Sequence, residues 1–162
     1  MTALIRPATP ADRDFIVSTW SSSFRTSHYA GMISMRHYAD VMHREIALVL
    51  DHPTTLTLVA EQPGEIDEHG RPFLYGFVSV AGRSKPDSAP YVYYVYVKSP
   101  YRRGKERHGM DRGYGRQLLD AVGVRSCSPL RYAYQTSMSL QLAAKIPLGE
   151  WDPLPARYLE RP

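Results

Sequence analysis

The sequence predicts one α/β (α+β) domain spanning residues 1–162, in which helices flank a mixed, mostly antiparallel sheet. A chain of 162 residues has the length of a single domain with a buried core. Hydrophobic residues make up 43% and charged residues 22%, which is ordinary for a globular protein and excludes a disordered chain. Strand and helix patterns follow in the order β-α-α-β-β-β-α-β-α, so antiparallel hairpins precede a strand-to-helix crossover.

The N-terminal third predicts a short strand and two helices. Residues 3–6 form the strand, and Thr9 is the expected helix N-cap, with Pro10 at the first helical position and Asp12 in the first turn. Apolar residues then recur at helical spacing before three serines: Phe15, Ile16, Trp20 and Phe24. A second helix is predicted from about Met35 to Leu50 because it carries one apolar stripe. The stripe consists of Tyr38, Val41, Met42, Ile46, Val49 and Leu50.

Three strand patterns follow the second helix. Thr55–Ala60 and Phe73–Val80 are predicted to pair as a hairpin with a long loop, since Pro63-Gly64 and His69-Gly70 are typical loop residues. Tyr91–Val97 is almost wholly β-branched and aromatic, which favours a strand. The remaining predicted elements are a helix over 115–122, a strand over 130–135, a helix over 140–146 and an irregular or edge-strand tail after residue 151.

Positive charge is concentrated in one segment of the chain, residues 98–116. This segment holds seven Lys and Arg residues against Glu106 and Asp111, whereas the whole chain carries a net charge of only +4. The rest of the protein is therefore close to neutral. One basic segment of this kind indicates a site for an anionic ligand, either nucleic acid or a small phosphate-bearing cofactor.

Within that segment, a strand runs into a glycine-containing loop and then into an amphipathic helix, between Val97 and Leu119. Backbone N–H groups at a helix start have no internal partners and, with the helix dipole, form an anion site. Gly113 and Gly115 lack a Cβ, so a phosphate oxygen can approach the backbone, and arginines neutralise its charge. Gly-x-Gly alone is also typical of an ordinary turn. The pattern is neither a Walker A loop nor a Rossmann fingerprint.

These residues resemble the GNAT superfamily of N-acetyltransferases over most of the chain. The first strand and helix start are similar in Ile5-Arg6-Pro7-Ala8-Thr9 with Ala11-Asp12, and the central hairpin in Val59-Ala60-Glu61 with Gly76-Phe77-Val78. The acetyl-CoA signature, Gln/Arg-x-x-Gly-x-Gly/Ala, is similar to Val97 with Tyr101-Arg102, then Arg112-Gly113-Tyr114-Gly115 with Leu118-Leu119. Leu148-Gly149-Glu150-Trp151 stands where the family often has Gly-Phe. Two features depart from the family: Met110 replaces the signature Gln or Arg, and segment 104–111 lengthens the loop.

The resemblance implies transfer of an acetyl group from acetyl-CoA to a primary amine of a small molecule or protein, by direct attack on the thioester. It also implies that the strand ending at Val97 diverges from the strand over 130–135 and leaves a gap for the pantetheine arm. One backbone N–H there would polarise the thioester carbonyl. The predicted cofactor-binding residues are Val95, Tyr96, Val97, Arg102, Arg112, Gly113, Tyr114, Gly115 and Arg116.

The usual catalytic residues of the family are missing from the positions that the resemblance assigns to them. Tyr91 and Tyr93 occupy the positions of the base and can order a water, while Glu61, on a neighbouring strand, is the titratable candidate. The position of the acid carries a lysine, and Tyr134 and Tyr158 are the candidate substitutes. For every tyrosine, a core or edge-strand aromatic is the alternative.

Three functions from different classes stay open. The leading one is the acetyltransferase; the second is a catalytically degenerate GNAT-fold protein that binds CoA or acts in an interaction. The third is a nucleic-acid binder, which we rank last because the basic residues flank glycines at a helix start.

Other sequence features bear on metal binding and on the cellular location of the protein. The single cysteine, Cys127, excludes an internal disulfide and a cysteine metal site, and the histidines lack metal-ligand spacing, so no metal is expected. No secretory or membrane-spanning segment is predicted. We therefore expect a cytoplasmic protein that does not bind membranes, and a homodimer is left open.

Overall fold

The computed structural model describes residues 3–26, 30, 32, 34–81, 90–101, 113–124, 130–133 and 149–151. Its six described strands form one sheet in chain order. They are β1 (Leu4–Pro7), β2 (Thr55–Ile66), β3 (Pro72–Ala81), β4 (Tyr91–Val97), β5 (Leu130–Tyr132) and β6 (Gly149–Trp151). Neighbours from β1 to β4 are antiparallel, whereas β5 is parallel to both β4 and β6. The predicted mixed, mostly antiparallel sheet is confirmed.

Helices cover both faces of this sheet. They are α1 (Arg13–Ser22), α2 (Met35–Asp51) and α3 (Tyr114–Ala121), with 3-10 turns at Pro10–Asp12, Ser23–Thr26 and Ser99–Tyr101. α1 and α2 pack on one face, where Ile16, Ile46 and Phe77 are among the buried residues. α3 packs on the other face through Leu118 and Leu119. The sheet is thus the middle of three layers.

Most element bounds agree with the sequence predictions. The strand Tyr91–Val97 is found as predicted, α2 ends one residue later, and α3 begins one residue earlier. Three residues of the predicted strand over 130–135 form β5, and Trp151 ends β6. The predicted helix over 140–146 lies outside the described residues, as do segments 82–89 and 104–111.

The long hairpin loop predicted between β2 and β3 is wrong. β2 continues through Pro63 and Gly64, and the turn closes at Asp67–Arg71. The Asp67 carboxylate accepts the backbone N–H groups of His69 and Arg71, both at 2.9 Å. An aspartate that binds the backbone of its own turn makes a tight connection, and a register shift within β2 absorbs the irregular residues.

A β-bulge at Tyr75 interrupts the pairing of β3 with β2. Glu61 pairs with Leu74 and Ala60 pairs with Gly76, so Tyr75 is the extra residue on β3. A bulge changes which face the following side chains occupy. Tyr75 consequently lies on the α3 face.

A second bulge lies in β4, at Tyr93. Ser79 pairs with Tyr94 and Val80 pairs with Val92, so Tyr93 is the extra residue on β4 and has no partner residue opposite it on β3. Tyr93 and Tyr94 therefore both point to the α1 and α2 face, although they are consecutive.

A partly buried ionic cluster joins β1, β2 and the turn before α1. Arg6 donates to both carboxylate oxygens of Asp12, at 2.7 and 3.0 Å, and through Nε to Glu61 Oε2 at 2.5 Å. Asp12 also accepts the backbone N–H and hydroxyl of Thr9. Burial raises the pKa of Asp12, but the hydrogen bonds from Arg6 and Thr9 outweigh it and hold the pKa below its ordinary value. The predicted helix start, with Thr9 as N-cap and Asp12 in the first turn, is found as the 3-10 turn Pro10–Asp12 that leads into α1.

We expect Asp12→Asn to lower the free energy of unfolding by about 2 kcal/mol at pH 7, because it removes the buried carboxylate of a partly buried ion pair and its charge-assisted hydrogen bonds. The folded pKa of Asp12 lies below its unfolded value of about 3.9, so this stability is present above that value and is lost as pH falls through the folded pKa. Urea unfolding at pH 7 and pH 3 should therefore show a difference between wild type and variant that shrinks at pH 3. The exposed Arg13–Asp51 pair supplies the control, since Asp51→Asn should change stability far less. An equal loss for Asp12→Asn at both pH values would contradict the assignment.

Candidate functional site

The end of β4 and the start of α3 meet on one face of the sheet. Val97, the last residue of β4, is buried, and a Cβ built on Gly115 would lie 3.5 Å from Val97 Cγ2. The first turn of α3 therefore rests directly on the strand end. The two halves of the predicted cofactor motif are brought together.

The first turn of α3 leaves backbone donors at its N-terminus. Gly113 is the N-cap in an extended conformation, and its carbonyl accepts the N–H groups of Arg116 and Gln117 at 2.9 and 3.2 Å. The N–H groups of Tyr114 and Gly115 have no acceptor within a helix that starts here. Together with the helix dipole, these two donors favour an anion.

Gly115 lies at the contact between helix and strand. Its missing Cβ would face Val97, at ordinary van der Waals distance. Sequence reasoning assigned this glycine to the close approach of a phosphate. A Cβ would fit at this distance, so the packing of α3 on Val97 does not itself require glycine, and the role of Gly115 towards a phosphate stays a prediction.

Of the three arginines predicted to bind the cofactor, Arg116 is the one that lies among the described residues. Arg116 Nη2 donates to Asp120 Oδ1 at 2.8 Å, one helical turn along α3. Its guanidinium therefore points towards the helix C-terminus, and its role in holding a phosphate stays a prediction. Arg102 and Arg112 lie outside the described residues.

The predicted pantetheine platform, Val95–Val97, lies beyond the described pairing of β4 with β5. That pairing involves Tyr91 and Val92 and is bounded by hydrogen bonds to the carbonyls of Pro90 and Val92, both of 3.0 Å. On its other side, β4 pairs with β3 as far as Val97. The residues of the predicted strand that would lie opposite Val95 begin at 135, outside the described residues, so the divergence of the two strands stays a prediction.

Four aromatic residues, Phe73, Tyr75, Tyr101 and Tyr114, form a cluster beside the meeting point of β4 and α3; we call it the aromatic cluster. Tyr75 stacks on Tyr114 at 4.2 Å between ring centroids and 10° between planes, and Tyr101 meets Tyr75 edge-on at 4.8 Å. Phe73 contacts both Tyr75 and Tyr101. Sequence reasoning missed this cluster; the only signals were the i, i+2 spacing of Phe73 and Tyr75 and the tyrosines at both ends of the basic segment.

Lys98 follows β4 and packs against the same region. Its ammonium lies 3.9 Å from the Phe73 ring centroid and 5.4 Å from that of Phe15. Burial lowers the pKa of Lys98, and the charge of Asp67 opposes this effect. The Lys98 ammonium therefore makes cation–π contacts next to the end of β4.

The candidate catalytic tyrosines of β4 lie on the face opposite α3. Tyr91 and Tyr93 are both buried and meet edge-on at 5.2 Å. Beside them, Trp20 of α1 stacks on Tyr94 at 5.0 Å. This burial suits core aromatics, and a catalytic role for either tyrosine stays a prediction. Tyr134 lies outside the described residues.

Glu61, the candidate base, lies apart from these groups. β3 stands between it and β4, so about 10 Å separates the two backbones. Its carboxylate accepts the Arg6 Nε–H. The structure therefore gives Glu61 a structural partner and does not bring it together with Tyr91 or Tyr93.

Neither a membrane-spanning helix nor a metal-binding cluster is found in the part of the chain that the structure describes. There, every helix is too short or too polar to cross a membrane. The same residues contain no group of three or more His, Cys, Asp or Glu side chains able to hold a metal ion.

Comparison with known proteins identifies the fold. No family model and no curated protein matches the sequence. Among solved structures, a Pyrococcus furiosus protein named “Putative acetyl transferase” matches with a TM-score of 0.52 and 17% identity, over 75% of this chain and 72% of the other. A “possible acetyltransferase” from Clostridium difficile 630 gives 0.47 and 17%, over 76% and 70%. Arabidopsis thaliana NAA60, solved with a bisubstrate analogue, gives 0.44 and 15%, over 91% and 71%.

At 17% identity, the Pyrococcus furiosus match shows a shared fold and no more. That fold agrees with the motifs at the end of β4 and the start of α3. The chain therefore has the α/β fold of the GNAT acetyltransferases.

Proposed function

We propose that the protein is an acetyl-CoA-dependent N-acetyltransferase that acts on a primary amine of a small molecule or protein. The observation that carries the proposal is the contact between Val97 and Gly115, which places a helix N-terminus at the end of a strand. The fold shared with a protein named as an acetyl transferase supports it.

The residues present suit the chemistry of coenzyme A. Its diphosphate needs donors and positive potential, which the N–H groups of Tyr114 and Gly115 and the dipole of α3 supply. Its pantetheine arm carries amides, which can bind the backbone of Val95, Tyr96 and Val97. When bound, acetyl-CoA would supply an acetyl group activated as a thioester.

The chain must also prepare the acceptor. An alkyl ammonium with a pKa of about 10.4 is only about 0.04% neutral at pH 7, so a proton acceptor increases the reactive fraction. In the proposed mechanism, Tyr91 and Tyr93 order a water that takes the proton. Glu61, two strands away and bound to Arg6, is the alternative candidate base. A backbone N–H of β4 polarises the thioester carbonyl, and Tyr134 is the candidate to protonate the departing thiolate.

A CoA-binding protein without turnover is the second candidate function. The ion pair of Glu61 with Arg6 favours it, because this contact holds the carboxylate two strands away from Tyr91 and Tyr93. Both candidates share the cofactor site and differ only in the chemical step.

The test is a titration of the purified protein with acetyl-CoA by calorimetry, followed by incubation with a panel of primary amines. We expect binding, and release of free thiol in equal amount to the acetylated amine detected by mass spectrometry. Binding without thiol release would select the second candidate. The absence of any heat or thermal shift with CoA would overturn both, and salt-sensitive binding of nucleic acid that CoA does not displace would select the third hypothesis.

A further inference from the structure

We infer that Tyr75 is a positioning residue, which fixes the first turn of α3, and with it the diphosphate-binding N–H groups, relative to the end of β4. The inference rests on the proposed function, since it concerns the same cofactor site. Tyr75 belongs to neither of the motifs that the sequence offers for that site. It reaches the site through contacts on three sides.

The first contact holds α3. Tyr114 is the first residue of that helix, and its ring lies parallel to the Tyr75 ring at 4.2 Å between centroids. Both side chains are buried, at 5% exposed for Tyr75 and 8% for Tyr114. A displacement of Tyr75 would therefore move the residue whose backbone N–H begins the anion site.

The second contact holds the end of β4. The carbonyl of Tyr75 accepts the backbone N–H of Lys98 at 2.8 Å, one residue beyond Val97. The Tyr101 ring, in the turn that follows, meets the Tyr75 ring at 4.8 Å. The bulge at Tyr75 gives the residue this place, because it directs the carbonyl to β4 while the side chain lies under α3.

The third contact anchors Tyr75 itself. Its hydroxyl donates to Gln62 Oε1 on β2. Burial, followed by the neighbouring Tyr114 side chain, raises the pKa of Tyr75 well above its ordinary value, so the phenol stays a donor at neutral pH. Ring and carbonyl are thus held from the sheet side and cannot follow α3 if the helix shifts.

These contacts give the strand end and the helix start a second link, beside the direct packing of Gly115 on Val97. Along the chain, those two points are joined only through residues 98–112. Through Tyr75 they are joined by one side chain and one carbonyl. Tyr75 therefore contributes to fixing the distance between the pantetheine platform and the diphosphate donors.

The experiment compares Tyr75→Leu, Tyr75→Phe and the control Val59→Ala in calorimetric titrations with CoA and with pantetheine, which lacks the diphosphate. We expect Tyr75→Leu to raise the Kd for CoA about tenfold, which is the effect of misplacing one charge-assisted hydrogen bond. The Kd for pantetheine should stay unchanged. Tyr75→Phe keeps the ring and should stay within about threefold. Val59 is fully buried on the opposite face, so Val59→Ala destabilises the fold without altering CoA affinity.

Two further readouts separate positioning from general stability. In turnover, Tyr75→Leu should raise the KM for acetyl-CoA about tenfold with kcat within twofold. In the cofactor-free protein, amide hydrogen exchange of Tyr114 to Gln117 should be faster in Tyr75→Leu and unchanged in Val59→Ala. If Tyr75→Leu does not fold, Tyr114→Leu removes the same stack from the other side and should give the same exchange and Kd changes.

Unchanged exchange in α3 would overturn the inference, and so would equal weakening of CoA and pantetheine or an equal effect of Val59→Ala. A wild type that binds no CoA would instead overturn the proposed function. The exchange result would still decide whether Tyr75 positions the helix.

Discussion

Gly76→Ala is expected to lower the free energy of unfolding by about 3 kcal/mol. A Cβ at this position would lie 2.1 Å from the Tyr96 carbonyl oxygen and 2.9 Å from Val97 Cα. Both neighbours are backbone atoms, so no side-chain rotation can relieve the overlap and β3 must move away from β4. Urea unfolding followed by circular dichroism measures the loss.

Gly70→Ala is the matched control for this change. Gly70 lies in the β2–β3 turn with a φ of +73° and no atom within 4 Å of the built Cβ. Its substitution therefore costs only backbone strain, roughly 1 kcal/mol. If Gly70→Ala were the more damaging of the two, close strand approach would not be the reason for Gly76.

Where Gly76→Ala remains folded, it should also weaken cofactor binding. The displaced strand carries Tyr96 and Val97, two of the residues predicted to bind the pantetheine arm. Pantetheine and CoA should then lose affinity together, unlike the selective effect expected for Tyr75.

Substitutions of Gly115 should separate two explanations for the glycine. Gly115→Ala places a methyl group in ordinary contact with Val97, so we expect it to fold normally and to gain about 0.5–1 kcal/mol from helix propensity. Gly115→Leu adds three more carbon atoms beyond a Cβ that already contacts Val97, and we expect it to lift the first turn of α3 from the strand. Loss of two charge-assisted hydrogen bonds of about 1.5 kcal/mol each would raise the Kd for acetyl-CoA about 100-fold.

Calorimetric titration of both variants with acetyl-CoA measures the difference, and Ala121→Leu controls for a leucine added elsewhere on α3. Ala121 is exposed at the far end of the helix, so its substitution should leave the affinity unchanged. If Gly115→Ala weakened binding as strongly as Gly115→Leu, the glycine would serve the ligand directly, as sequence reasoning held.

The elements that sequence predicted well are those specified by local patterns. Tyr91–Val97 consists of strand-forming residues, and Leu118 and Leu119 mark the buried side of α3. Thr9 and Asp12 mark a helix start through bonds between residues three apart. Because such signals act within a few residues, the fold class and the contact between β4 and α3 could be predicted.

Features that depend on distant partners could not be predicted. The bulges at Tyr75 and Tyr93 exist only relative to the strands beside them. The aromatic cluster joins residues from β3, from α3 and from the turn after β4. The Glu61 carboxylate binds Arg6 on the neighbouring strand β1, far away in the sequence. Residue type alone therefore suggested Glu61 as a base, without revealing the guanidinium that it binds.

The contacts of Tyr75 with Tyr101 and Tyr114 also bear on how this domain tolerates change. Tyr101 and Tyr114 stand on either side of residues 102–112 in the chain, and both pack against the same ring. Their separation is therefore held by Tyr75 and not by the number of residues between them. A homologous chain with more or fewer residues between these two tyrosines should keep its strand end and helix start in the same places.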